Sequence, residues 1–292
     1  MTETASALGF IGLGVMGSGM CGNLVRKAGR PVHVFDMVAD AVAAQVAAGA
    51  MAAASVEDVA RAARIIFLSL PGGRQVAEVC TRIAGVAAPG TLVVDLSTTA
   101  VAEARDIAAS LAEQGLRFAD APVARTRQAA IDGTLSIMVG AGEALFAEIL
   151  PLLRHMGSDV THCGEVGCGQ VVKLVNNCLL FQHVASIAEM MVVAERAGVT
   201  ADKLIEAVGL GSGNSFALQN HAKKAMAPRD FPLKAFSSSY TLKDLGYAVE
   251  LAEQMGVEPK MAQMAEAYYR QAVDAGIGEE YFPAIIKLVE QS

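Results

Sequence analysis

Over the first 164 residues short β-rich runs alternate with alanine-rich helical runs, and this alternation constrains the fold more than any other feature. Strands are expected at 8–12, 31–36, 50–54, 65–70, 91–97 and 117–122, with helices at 16–29, 38–48, 73–85 and 101–114 between them. Strands joined by helical crossovers pair in parallel, because a tight turn cannot bring a chain back to a parallel neighbour. The expected α/β fold is therefore a doubly wound sheet. Two further β-rich runs, 134–140 and 159–163, flank an amphipathic stretch at 143–156. After Gly164 the β-rich runs stop. A long helical stretch covers 166–197 and ends at Gly198, and more helices are expected at 201–209, 215–226, 239–255, 259–275 and 281–290. This pattern places a sheet domain over 1–164 and an all-α domain over 165–292, led by a long helix linking the two.

Composition removes several classes of function. The 292 residues carry 23 Lys+Arg against 30 Asp+Glu, a net charge of −7, which disfavours nucleic acid as a partner. Aromatic residues are only 5%, without Trp, so a base-stacking surface is also disfavoured. A mean hydropathy of +0.40 raises the question of a membrane. The most apolar long segment, 171–194, nevertheless carries Lys173, Asn176, Asn177, Gln182, His183 and Glu189, and the first residues form no basic leader. No membrane partner and a cytoplasmic location are expected. The five cysteines form no C-x-x-C pair and the five histidines are scattered, so no metal site is expected.

The first strand runs into Gly12-Leu13-Gly14-Val15-Met16-Gly17, followed at once by a helical run. In that context a G-x-G-x-x-G loop has a physical reading. Gly12 permits the tight turn, Gly14 lets backbone approach a pyrophosphate, and Gly17 allows close packing of helix on strand. The helix N-terminus then presents amides to the phosphates. Asp36 closes the second strand nineteen residues after Gly17. Its carboxylate suits a ribose diol and repels a 2′-phosphate, and the next residue, Met37, offers no cation to hold one. NAD is the expected cofactor of this Rossmann-type domain. Leu70-Pro71 and the hydroxyl run Ser97-Thr98-Thr99 end later strands and are expected in the same crevice. The Ser/Thr run is equally a reasonable helix cap.

Within the long helical stretch Lys173 and Asn177 stand four residues apart and share a face. An ammonium and a carboxamide are costly to bury without purpose, and a lysine in apolar surroundings can exchange a proton with a substrate hydroxyl. These residues, with the glycine loop, resemble the β-hydroxyacid dehydrogenase family, which includes the 3-hydroxyisobutyrate dehydrogenases. Four motifs occur in the family's order: Phe10–Met20 with Asn23 and Leu24; Asp120-Ala-Pro-Val123, followed by 133–140; Gly167–Asn177; and Asp230-Phe-Pro with Phe236 and Leu242-Lys243-Asp244-Leu245. The resemblance covers essentially the whole chain. It implies a C-terminal half like that of 6-phosphogluconate dehydrogenase, Lys173 as general acid/base, and Asn177 orienting substrate. It further implies Thr98 and Lys243 around the nicotinamide, with Lys243 also near substrate, and a homodimer or homotetramer.

One motif departs from the family. Where Asp-Ala-Pro-Val normally continues Ser-Gly-Gly, this chain has Ala124-Arg125-Thr126. The loop Val123, Ala124, Arg125, Thr126 is expected to hold the small anionic substrate, with the Arg125 guanidinium gripping an oxyanion. In these positions the chain resembles the branch that reduces 3-sulfolactaldehyde, which implies a sulfonate head. Carboxylates such as 3-hydroxyisobutyrate, 4-hydroxybutyrate or tartronate semialdehyde are the alternative, and Arg125 could instead face solvent or pair with a nearby acid. A catalytically silent binding protein or an imine reductase would lack the lysine; Lys173 favours the dehydrogenase.

Overall fold

The computed structural model describes residues 6–233 and 235–292; the first five residues, read above for a leader, lie outside the described residues. The chain forms two compact units, 1–173 and 174–292. The change of sequence pattern at Gly164 precedes this division, which falls one to two turns inside the long helix.

In the first unit six strands, β1 Leu8–Ile11, β2 Val32–Phe35, β3 Met51–Ala52, β4 Ile65–Leu68, β5 Leu92–Asp95 and β6 Arg117–Asp120, pair in parallel in the order β3-β2-β1-β4-β5-β6. β1, β4 and β5 are buried along their whole length, as apolar runs covered on both faces must be. The crossover helices are α1 Gly17–Lys27, α2 Ala39–Ala47, α3 Val56–Ala62, α4 Gly73–Ala84 and α5 Val101–Glu113. The sheet continues through β7 Val123–Ala124 and β8 Leu135–Gly140, with the short helix α6 Arg127–Asp132 between them. β8 runs antiparallel to β6 and β7, and β9 Gly157–Gly164 then pairs parallel to β8 across α7 Glu143–Leu153. Three of these elements, α3, β7 and α6, are absent from the sequence-based expectation. α3 had a legible start, because Ser55 caps it by accepting from the Asp58 N–H at 3.1 Å. α6 and β7 are too short to show a period.

The helix α8, Cys168–Arg196, begins in the first unit and continues into the second. Among the described residues it is the one helix long and apolar enough, by length and composition, to cross a membrane. It buries Gln170, Lys173 and Asn177, polar groups that are costly to bury unless hydrogen-bonded. The second unit adds α9 Ala201–Gly209, a π-helix Ala217–Met226, α10 Ser238–Gln254, α11 Lys260–Asp274, a 3-10 turn Phe282–Ile285 and α12 Ile286–Glu290. Phe181 centres its core, edge-on to Tyr269 at 6.0 Å and to Phe282 at 5.4 Å between ring centroids. The expected α-helices at 215–226 and 281–290 differ in kind. The first winds as a π-helix, and the second opens as a 3-10 turn with Pro283 in its first turn, where the missing N–H costs no helical hydrogen bond.

Candidate active site

The glycine loop leaves β1 and enters α1 as its spacing requires. Gly12 has φ +94°, and a Cβ there would collide with the Ser69 carbonyl; a Cβ on Gly17 would collide with the Gly12 carbonyl. Gly14 is different. A Cβ there meets nothing within 4 Å, so its backbone borders open space where a pyrophosphate can approach. α1 starts without a side-chain cap or an acidic residue in its first turn, which suits an anion. Leu13 is buried in the core, Val15 is exposed and Met16 stands at the N-cap position. Asp36 pins the loop: one carboxylate oxygen accepts from the Leu13 N–H at 2.6 Å, the other from the Val38 N–H at 2.8 Å. Met37 beside it is almost fully exposed and uncharged. These residues fit NAD.

The strand ends beyond β4 and β5 are joined by hydrogen bonds. The Leu70 N–H donates to Ser97 Oγ at 2.9 Å, placing the start of the Pro71 turn beside the segment that carries half-buried Thr98. Asp95, fully buried, accepts from the Ser97 N–H and from Thr99 Oγ1, each at 2.9 Å.

Arg125 adopts φ +88°, a left-handed conformation that a glycine takes without strain. Its guanidinium is committed to the β8–β9 region. It donates to the Thr134 carbonyl at 2.6 Å and to Ser158 Oγ at 2.9 Å, and pairs with Asp159 at 2.8 Å. Ser158 and Arg125 together hold the Asp159 carboxyl below its ordinary range. The guanidinium here pairs with a nearby acid, the alternative that the sequence also allows for Arg125. The other loop residues also have structural partners. Thr126 caps α6 by accepting from the Ala129 N–H at 3.3 Å, and Val123 is buried in the core, paired with Ile137 across β7 and β8.

Two residues that the sequence reading did not select hold the first turn of α8. Asp120, fully buried at the end of β6, accepts from the Gly167 N–H at 2.7 Å and from the Gln170 N–H at 2.8 Å. A Cβ on Gly140 or Gly169 would collide with its carboxylate, so those glycines make room for the group. Burial, helped slightly by the neighbouring Asp95 charge, raises its pKa to about 6 against the lowering by those two amides. The Gln170 side chain, also fully buried, accepts from the Thr99 N–H at 3.1 Å and donates to the Ser97 carbonyl at 2.9 Å. Lys173 follows one turn later and is buried. Gln170, Lys173 and Asn177 lie at i, i+3 and i+7, a spacing that marks one helix face and could have pointed to Gln170.

In the second unit buried Asn177 donates from Nδ2 to Asp244 Oδ2 at 2.7 Å. Asp244, also buried, pairs through its other oxygen with Lys243 at 2.9 Å. The Lys243 ammonium sits over the Tyr247 ring, 4.8 Å from its centroid. The carboxylate therefore links two expected site residues, Asn177 and Lys243. Its only sequence signal was its place beside Lys243. Among the described residues no cluster of His, Cys, Asp and Glu is arranged to hold a metal.

Comparison with known proteins identifies the family. Residues 7–164 match the NAD binding domain of 6-phosphogluconate dehydrogenase, and residues 167–289 match the NAD-binding domain of NADP-dependent 3-hydroxyisobutyrate dehydrogenase. The chain is 39% identical to 2-(hydroxymethyl)glutarate dehydrogenase of Eubacterium barkeri, over 99% of this chain and 96% of that one. It is 37% identical to NAD-dependent L-serine dehydrogenase of Pseudomonas aeruginosa, over 97% of each. The structure of Mycobacterium tuberculosis 3-hydroxyisobutyrate dehydrogenase with L-serine superposes with a TM-score of 0.89 at 31% identity, covering 97% of this chain and 99% of that one. The chain therefore belongs to the β-hydroxyacid dehydrogenase family, as an NAD-dependent oxidoreductase of the 3-hydroxyisobutyrate dehydrogenase type acting on CH–OH groups.

Proposed function

We propose that the substrate is a small 3-hydroxy carboxylate, HOCH2–CHR–COO⁻, interconverted with its semialdehyde. The observation that carries this reading is the commitment of the Arg125 guanidinium to Asp159, Ser158 and the Thr134 carbonyl, while its backbone keeps a glycine-like φ. A loop of that shape offers backbone donors to an anion, as a glycine cradle would, and a compact carboxylate is suited to it. 2-(Hydroxymethyl)glutarate, L-serine and 3-hydroxyisobutyrate, after which the relatives are named, all carry a primary alcohol one carbon removed from the carbon bearing the carboxylate. They differ only in R and its substituents.

In the oxidative direction Lys173, as the free amine, takes the hydroxyl proton, and Asn177 orients the hydroxyl or carboxylate. NAD, when bound, accepts the hydride. Asp244 holds the Asn177 carboxamide and pairs with Lys243, a residue that the family resemblance implies near substrate. The cationic groups thus serve a small anion inside a protein of net charge −7.

A sulfonate head remains the second reading, favoured by the letters Ala124-Arg125-Thr126, and it requires the guanidinium to leave Asp159. A panel of 3-hydroxyisobutyrate, serine, 2-(hydroxymethyl)glutarate and 2,3-dihydroxypropane-1-sulfonate, assayed for NAD reduction, separates the two. A carboxylate should lead in kcat/KM by roughly 10-fold or more; a sulfonate in the lead overturns the carboxylate reading. Lys173→Ala should lower kcat by about 10²–10⁴-fold with NADH affinity retained. The reading includes a homodimer or homotetramer, supported by α8, where exposed Val172, Val175, Leu179, Met190 and Val193 fall within one narrow arc. Sedimentation at micromolar concentration tests it; a monomer there removes it.

A further inference from the structure

The catalytic lysine emerges one turn into α8, so its location is set by whatever fixes the start of that helix. In the first unit four hydrogen bonds do so, and all are buried. Asp120 takes two backbone amides of the first turn, those of Gly167 and Gln170, at 2.7 and 2.8 Å. The Gln170 side chain bridges to Thr99 N–H and Ser97 O at 3.1 and 2.9 Å. Through Ser97 Oγ the same segment holds the Leu70 N–H at 2.9 Å, and through Asp95 it is tied to the end of β5. The first turn of α8 is thereby bolted to the ends of three adjacent strands, the places that carry Leu70, Thr98 and the start of the substrate loop.

The arrangement is costly to maintain if its role is only stability. It buries a carboxylate near a second buried carboxylate, Asp95, and it needs glycine at 140 and 169. An apolar packing of the same volume is generally no less stable than a buried polar network. What such a network supplies is a single direction and depth for the helix, because each bond is short and directional.

We propose that Asp120 and Gln170 are positioning residues for the dehydrogenase reaction, setting the Lys173 amine against the strand ends that line the cofactor crevice. This rests on Lys173 being the acid/base group. Neither residue touches the reacting atoms in this role; both act through the helix. A misplacement of about 1 Å is enough to cost on the order of 10²-fold in rate.

The test compares Gln170→Met, which keeps the side-chain shape and removes both its bonds, with Asp120→Asn and with Lys173→Ala, in the full-length protein. Circular dichroism establishes folding, fluorescence titration gives the NADH Kd, and kcat, KM and the pH profile of kcat/KM are measured on the best substrate of the panel. Gln170→Met and Asp120→Asn should lower kcat roughly 10- to 100-fold, leave NADH Kd and KM within about threefold, and move the pH at half-maximal kcat/KM by about 0.5 or more. Folded variants with wild-type kcat and pH profile overturn the proposal while an inactive Lys173→Ala leaves the lysine in place. Loss of NADH affinity in parallel with kcat also overturns it, since the residues would then shape the cofactor crevice. An active Lys173→Ala removes both the proposal and its premise. Should Asp120→Asn fail to fold, Gln170→Met decides alone.

Discussion

Two loops of the first unit solve the same backbone problem in different ways. The cofactor loop turns at Gly12 with φ +94°, the substrate loop at Arg125 with φ +88°. At Gly12 a side chain is excluded, because a Cβ would collide with the Ser69 carbonyl. At Arg125 a side chain is present, and three partners on the far side anchor it. An aspartate pins each loop: Asp36 holds the Leu13 N–H, and Asp159 holds the Arg125 guanidinium. The second unit repeats the second solution. Arg229, at φ +56°, is the other non-glycine residue with positive φ among those described, and Glu195 and Glu290 hold its guanidinium at 2.6 and 2.7 Å. A left-handed turn can thus be kept either by removing the Cβ or by tethering the side chain. Only the first choice writes a glycine into the sequence.

The contrast is broken most directly at Gly12. Gly12→Ala should raise the NADH Kd by about 10- to 100-fold, corresponding to ~1–3 kcal/mol of backbone strain, and calorimetric titration reads this. An unchanged Kd would mean that the loop tolerates a tether-like adjustment after all. Asp36→Ala comes next. It removes the partner of Leu13 and the charge that repels a 2′-phosphate, so the preference for NADH over NADPH should shrink roughly 10-fold in kcat/KM. Persistence of the full preference would place cofactor selection elsewhere.

The pH dependence distinguishes the acid that holds Arg125 from the acid that holds the start of α8. Asp159 is held below the usual carboxylate range, so its tether to Arg125 survives moderate acid. Asp120 is raised from 3.8 to about 6. Between those values the folded protein keeps a proton that the unfolded chain has released. The group's contribution to stability is therefore full below the unfolded value and fades as pH rises through about 6. Activity should move the opposite way, because the ionised carboxylate accepts both α8 amides. Lowering the pH from about 7.5 to 5.5 should reduce kcat with no loss of Tm from this group, and Arg125→Gly should show the same acid limb. An acid limb abolished by Arg125→Gly would transfer the effect to the tether. The smallest effect is expected from Arg125→Gly itself at neutral pH. Strain relief offsets an exposed ion pair and added freedom in the unfolded chain, so Tm should stay within about 3 °C in a thermal melt.

Much of the architecture was legible in the residues. Strand–helix alternation marked the parallel sheet, and the glycine loop with Asp36 marked the cofactor end, since both are local patterns with a fixed period or spacing. Short elements such as β7 and α6 were not legible, because two to six residues carry no period. Nor was the reversal at β8, which depends on a pairing twenty residues distant, Asp120 with Gly140. In the candidate site Lys173 and Asn177 were legible from their spacing along one helix. Asp120, Gln170 and Asp244 were not selected, because their partners lie 47, 71 and 67 residues away in sequence.

The sequence by itself determined the fold class, the cofactor and the family, each written in motifs where local sterics admit few residues. The tertiary structure alone shows which groups surround Arg125. A guanidinium is equally suited to a substrate anion and to an aspartate, and only the pairing of β8 with β9 brings Ser158 and Asp159 within its reach.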